Sequence, residues 1–128
     1  MNYYTNKTIE GTFDQVIEQV TGALKEEGFG VLSDIDVQQT LKKKLDVNLR
    51  KYRILGACNP PNAHKALTAE PYIGLMLPCN VVVQETEGGK VDVSAVDPVA
   101  SMTSVENSQL KGVATNIKEK LERVIQNL

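Results

Sequence analysis

Two amphipathic stretches, one near each end of the chain, dictate what lies between them. From Phe13 the apolar residues fall at Phe13, Val16, Ile17, Val20, Ala23 and Leu24, the three–four spacing of a helix with one apolar face. Thr12 is placed to cap that helix, Gln15 three residues on completes a capping box, and Gly28 ends it. The last stretch repeats the pattern with Leu110, Val113, Ala114, Ile117, Leu121, Val124, Ile125 and Leu128. Its other side carries Lys111, Lys118, Glu119, Glu122, Arg123 and Gln126, a solvated face. Helices with a single apolar stripe must bury it on a shared layer, and the residues between them supply that layer as strands.

Phe29 to Ile35 is mostly apolar and bounded by Gly28 and Asp36. Tyr52 to Cys58 and Leu75 to Glu85 are apolar enough for central strands. Val91, Val93 and Ala95 alternate with Asp92 and Ser94, so one side of that strand is buried and the other wetter. Glu87-Gly88-Gly89-Lys90 reads as the hairpin turn before it. Tyr3 to Ile9 is a weaker strand, at an edge or paired with 29–35. Two short helices interrupt the series. Asp36 caps Val37 to Leu45, with Gln39 completing the box. Asn59 caps a helix whose first turn holds Pro60 and Pro61, where a missing N–H costs nothing, and which stops before Pro71. Asp97-Pro98 leaves the last strand into a loop. The pattern predicts one α+β domain over 1–128: a largely antiparallel sheet, the two long helices on one face, and two short inserted helices.

A chain of 128 residues buries roughly two-thirds of its unfolded surface and needs neither disulfide nor metal to fold. A net charge of -2 gives no general attraction to nucleic acid or to anionic lipid. The basic run Lys42, Lys43, Lys44, Arg50, Lys51 and Arg53 has only Tyr52 near it for stacking, so it reads as a solvated face and no nucleic-acid partner is expected. No stretch approaches the roughly 20 apolar residues of a membrane helix, and the start lacks an apolar signal region. With two cysteines, too few for a secreted disulfide framework, the expectation is a soluble, cytoplasmic protein with reduced thiols and no membrane partner.

The chemistry-bearing side chains gather in one stretch. Cys58-Asn59-Pro60-Pro61-Asn62-Ala63-His64 opens it and Leu77-Pro78-Cys79-Asn80 closes it, so it holds both cysteines and the only histidine. Cys58 ends one strand and Cys79 begins the next. If those strands are antiparallel neighbours, both thiols come to the same end of the sheet, where Asn59, Asn80 and the Pro60 helix converge and His64 lies one turn on. Cys58, Asn59, His64, Cys79 and Asn80 are therefore the candidate site. A helix N-terminus lowers the pKa of a nearby thiol, which makes Cys58 the better candidate for a reactive thiolate. Against this, free cysteine often serves as a small buried hydrophobe, Asn59 is explained as a cap, and a lone histidine on a short helix is commonly a surface residue. Cys58, Cys79 and His64 fall one ligand short of a closed zinc site, and their spacing matches no zinc signature. No Cys-x-x-Cys is present. Gly88-Gly89 is a turn and not a phosphate loop, since no helix or Lys-Ser/Thr follows.

Read together, Phe29-Gly30-Val31-Leu32, Asp36-Val37, Leu41-Lys42-Lys43-Lys44-Leu45, the run Tyr52 to Pro60, Ala63-His64-Lys65-Ala66-Leu67, the run Leu77 to Val83 and Asp97-Pro98 resemble a prokaryotic family known only as domain-of-unknown-function family 302. The resemblance covers nearly the whole chain, and its Cys-Asn-Pro and Leu-Pro-Cys-Asn blocks are its most specific parts. It implies a fold similar to the TATA-binding-protein repeat, β-α-β(4)-α, but not DNA binding. It brings no activity, cofactor or catalytic residue.

Three readings follow. The first is a ligand- or partner-binding homodimer, because Val81, Val82 and Val83 in succession leave at least one valine on the sheet face that no helix covers. The second is thiol chemistry through Cys58 with Cys79 or His64: redox relay, sulfur transfer, or soft-metal or haem binding. The third is a hydrolase pairing Cys58 with His64. No particular cofactor is indicated by the residues.

Overall fold

The protein is described by a computed structural model over residues 2–128. The first strand, β1, is Tyr4–Ile9. Helix α1, Phe13–Glu26, opens with the expected capping box: the Thr12 hydroxyl accepts from the Gln15 N–H and the Gln15 side chain accepts from the Thr12 N–H, both at 3.2 Å. Gly28 turns the chain out of it at a positive φ of 82°. Strand β2, Gly30–Asp36, runs directly into α2, Val37–Leu45, where Asp36 Oδ1 accepts from the Gln39 N–H at 3.0 Å; only this half of the expected box forms among the described residues. Strand β3, Tyr52–Cys58, leads into α3, Pro60–Ala69, capped by Asn59. Strands β4, Cys79–Glu85, and β5, Val91–Val96, form the hairpin around Gly88 and Gly89, both at positive φ as such a turn requires. A one-turn helix α4, Pro98–Ser101, precedes the long α5, Leu110–Gln126.

The five strands form one sheet in the order β1-β5-β4-β3-β2, every neighbouring pair antiparallel. With the inserted helices set aside, the plan is β-α-β(4)-α. β1 takes the edge beside β5, not the place beside 29–35, which holds the opposite edge. Helices α1 and α5 cover one face. Leu55, Ala57, Val81, Val83, Val91, Val93 and Ala95 point into it and meet Val16, Val20, Leu24, Ile117, Leu121 and Val124. Each side chain there is nearly lost to solvent, a burial worth on the order of 1.5–3 kcal/mol for each large aliphatic.

Two segments differ from the expectation, for one physical reason. The stretch expected to open β4 at Leu75 forms a 3₁₀ helix over Pro71–Met76, and the strand starts only at Cys79. The loop expected after Asp97-Pro98 instead coils into α4, because the Asp97 carboxylate accepts from the Val99 and Ala100 N–H groups at 2.9 and 3.3 Å. In both, a proline sits in the first turn of the helix, where its missing N–H costs nothing. The 3₁₀ segment buries Ile73 beneath α3 with Ala66, Met102, Leu110 and Ala114, a second small core beside the main one.

Candidate functional site

The end of the sheet where β3 stops and β4 begins is built around Asn59. Its Oδ1 accepts the Asn62 N–H at 3.3 Å, capping α3, and the Asn62 side-chain amide at 3.0 Å. Its own amide nitrogen donates to the carbonyls of Glu27 and Gly28, at 3.2 and 3.4 Å, tying α3 to the exit of α1. Asn62 extends the chain of amides to Asn116 on α5 at 3.0 Å. Three helices, α1, α3 and α5, are thereby tied around the residue that follows Cys58. Asn62 and Asn116 belong to this network and escaped the sequence reading. The signal that finds Asn62 is its place at N3, where a cap's partner lies, but nothing in the sequence points to Asn116.

Ala57 and Cys79 stand directly opposite each other in the β3–β4 register. Pro78 crosses the neighbouring Gly56: a Cβ on Gly56 would come within 2.7 Å of Pro78 Cγ and would also strike Ser33. Glycine is what lets the chain entering β4 lie so close to β3. Together these features leave a cavity of about 300 Å³ between the strand ends, α3 and the 3₁₀ segment. Cys58 and Cys79 both line it, Phe29 and Ile117 are its buried side, and Leu32 and Leu67 stand exposed at its mouth. Leu32 reaches that position because the β2–β3 register shifts between Val31 and Ser33, turning it out of the regular pleat.

The two thiols are unlike. Cys79 is 5% exposed, and burial pushes its thiol up to about 11, with the neighbouring Cys58 thiol adding to the rise. It is therefore fully protonated at neutral pH. Cys58 is half-buried. Neither is in a disulfide.

Of the five candidate residues, Cys58, Asn59 and Cys79 share the cavity. His64 does not join them: it is exposed on α3, beside Lys65, Thr68 and Gln109. Asn80 lies at the same end of the sheet but, one residue past Cys79, points to the opposite face. Among the described residues no three of His, Cys, Asp or Glu gather closely enough to hold a metal ion. The basic run is dispersed: Lys42 pairs with Asp46 at 2.8 Å, Arg53 with Asp34, and Arg50 donates to Gln84 and stacks on Tyr52. Among the described residues no helix is long and apolar enough to cross a membrane.

The family model described as "Domain of unknown function DUF302" matches residues 5–128. A crystal structure of an uncharacterized conserved protein DUF302 from Bacillus stearothermophilus superposes with a TM-score of 0.92 at 26% identity, over 99% of this chain and 98% of that one. No curated protein matches. A family match across almost the full length, with a solved structure sharing the same fold, agrees with the Cys-Asn-Pro and Leu-Pro-Cys-Asn blocks that frame the cavity, and the chain belongs to the DUF302 family.

Proposed function

We propose that this protein is a binding domain that takes a small apolar ligand in the cavity beside Cys58 and Cys79. One observation carries the reading: the cavity offers a ligand almost no hydrogen-bonding partner. Among the described residues the one amide side chain lining it, that of Asn59, is engaged with Asn62, Glu27 and Gly28. A space of about 300 Å³ lies at the small end of ligand cavities, and a hydrocarbon lining selects an uncharged, apolar molecule. Titration with the neutral fluorophore 1-aminoanthracene should give a saturable blue-shifted signal. Ala63→Leu, which fills the cavity, should weaken binding by about tenfold without lowering the melting temperature. No saturable signal from the native protein, or equal binding by Ala63→Leu, would remove the reading.

The homodimer reading finds different support from the one that prompted it. Val82 does face away from the helices, but among Asn6, Asn80, Gln84, Asp92 and Ser94. Leu32 and Leu67 stand exposed at the mouth of the cavity, and Tyr72, Leu75 and Met76 are exposed on the 3₁₀ segment, with Leu75 84% exposed. A second copy covering these side chains is the association this surface favours. Sedimentation at micromolar concentration should show a dimer that Leu75→Glu dissociates, and a native monomer would end this part of the proposal.

A second reading, thiol-dependent redox, sulfur-transfer or soft-metal chemistry, is favoured by both sulfurs lining one cavity, without His64. It requires Cys58 to be the reactive partner, because Cys79 holds its proton. If iodoacetamide labels Cys58 no faster than free cysteine at neutral pH and metal analysis of the purified protein is blank, this second reading fails. The hydrolase reading has no support, since His64 and Cys58 do not share a site.

A further inference from the structure

The face of the sheet opposite α1 and α5 carries a second and larger concavity, about 420 Å³. Its cross-strand rows are set by register: Tyr52, Gln84, Asp92 and Thr8 stand side by side across β3, β4, β5 and β1. Asp92 is 8% exposed, although it lies on the side of β5 that faces away from the helices. Its Oδ1 accepts from Asn6 Nδ2 at 3.0 Å and from Thr8 Oγ1 at 3.4 Å, and its Oδ2 accepts from Ser94 Oγ at 2.6 Å. All three donors are neutral. Among the described residues no lysine, arginine or histidine forms an ion pair with Asp92. Arg50, the cation at the end of the same row, directs its donors to Gln84 Oε1 at 2.9 and 2.7 Å and lies over the Tyr52 ring.

A carboxylate withdrawn from water without a cation is costly, and an asparagine at 92 would satisfy the same neighbours without the charge. The surroundings suit a positive ligand with an apolar body. Tyr3, Tyr4 and Tyr52 line the concavity, Val82 and Val96 add apolar side chains, and among the described residues no lysine, arginine or histidine lines it. Aromatic faces and a partly desolvated carboxylate both attract an organic cation. We propose that this open sheet face is a second binding site, for a small organic cation such as a protonated amine or amidinium, with the Asp92 carboxylate as its counter-ion and the tyrosine rings as its walls.

The test compares benzamidinium with its neutral analogue benzamide on the full chain at neutral pH, followed by amide chemical shifts. Benzamidinium should bind at least about tenfold more tightly, weaken as salt is raised, and move the resonances of Tyr52, Gln84, Asp92 and Ser94. Asp92→Asn should abolish the preference for the cation while its melting profile stays close to that of the native protein. Should that variant lose its fold, Val82→Lys, which places a positive charge in the concavity from a half-buried position, should produce the same loss. Equal affinity for the two probes, no saturable shift from either at millimolar concentration, or a preference that survives in a folded Asp92→Asn would each overturn the proposal. Self-association that covers the face would appear as the second of these outcomes.

Discussion

Cys79 carries its proton well past neutral pH because the folded chain gives its thiolate neither water nor a cation. The consequence for stability has a definite sign. The folded-state value, about 11, lies above the ordinary 9.0, so the stabilisation is fully present below pH 9 and is lost as pH rises toward 11. Chemical denaturation across that range should show the native protein losing up to about 3 kcal/mol more than Cys79→Ala, which has no thiol to ionise. Parallel pH profiles for the two proteins would mean that Cys79 is not buried as described. Most individual candidates were legible as residue types in a spacing: two thiols at facing strand ends and an asparagine before two prolines. His64 and Asn80 were not separable from them in the sequence. Six residues along a helix start and one residue along a strand decide which side of an element a side chain takes, and only the pleat and the helix phase settle that.

Helix α3 is the element on which the cavity depends, and its first turn is held by side chains more than by propensity. Two prolines open it, no residue of its first turn is acidic, and Asn59 ties it by hydrogen bonds to the α1 exit and, through Asn62, to α5, beside the packing of Ala66 against Leu110 and Ala114. Asn59→Ala should therefore cost about 2–3 kcal/mol in urea unfolding, beyond an ordinary cap loss, because it also strips the Glu27 and Gly28 carbonyls of their donor. Asn59→Ser keeps a capping oxygen and loses the amide donor, so its cost should fall between that of the native protein and that of Asn59→Ala. If Asn59→Ala costs no more than a surface cap, the clamp is not what positions Cys58. The long helices and the β4–β5 hairpin could be read in advance, since periodicity, a capping box and a Gly-Gly turn are local signals. The 3₁₀ segment and α4 could not, because an apolar run after a proline looks the same whether it extends as a strand or coils beneath a helix. The difference is made by Ile73 finding Ala66 and Met102.

The whole molecule presents two kinds of surface from one sheet. The helical side closes into a core, and at its margin the strand ends leave a hydrocarbon-lined cavity with two sulfurs. The open side is polar and aromatic, with one buried carboxylate. The β-α-β(4)-α plan and its single layer of helices were legible from element order, because two single-striped helices and a run of strands admit few arrangements. The depth of either concavity was not, since it depends on Gly56 admitting Pro78, on the β2 bulge at Leu32 and on which strands neighbour which. The labelling rate of Cys58 by iodoacetamide, with and without saturating 1-aminoanthracene, asks whether a ligand truly sits against the sulfur. An occupied cavity should slow labelling by about tenfold or more in the native protein and slow it clearly less in Ala63→Leu at the same fluorophore concentration. A native rate indifferent to bound fluorophore would place the ligand elsewhere and contradict the account.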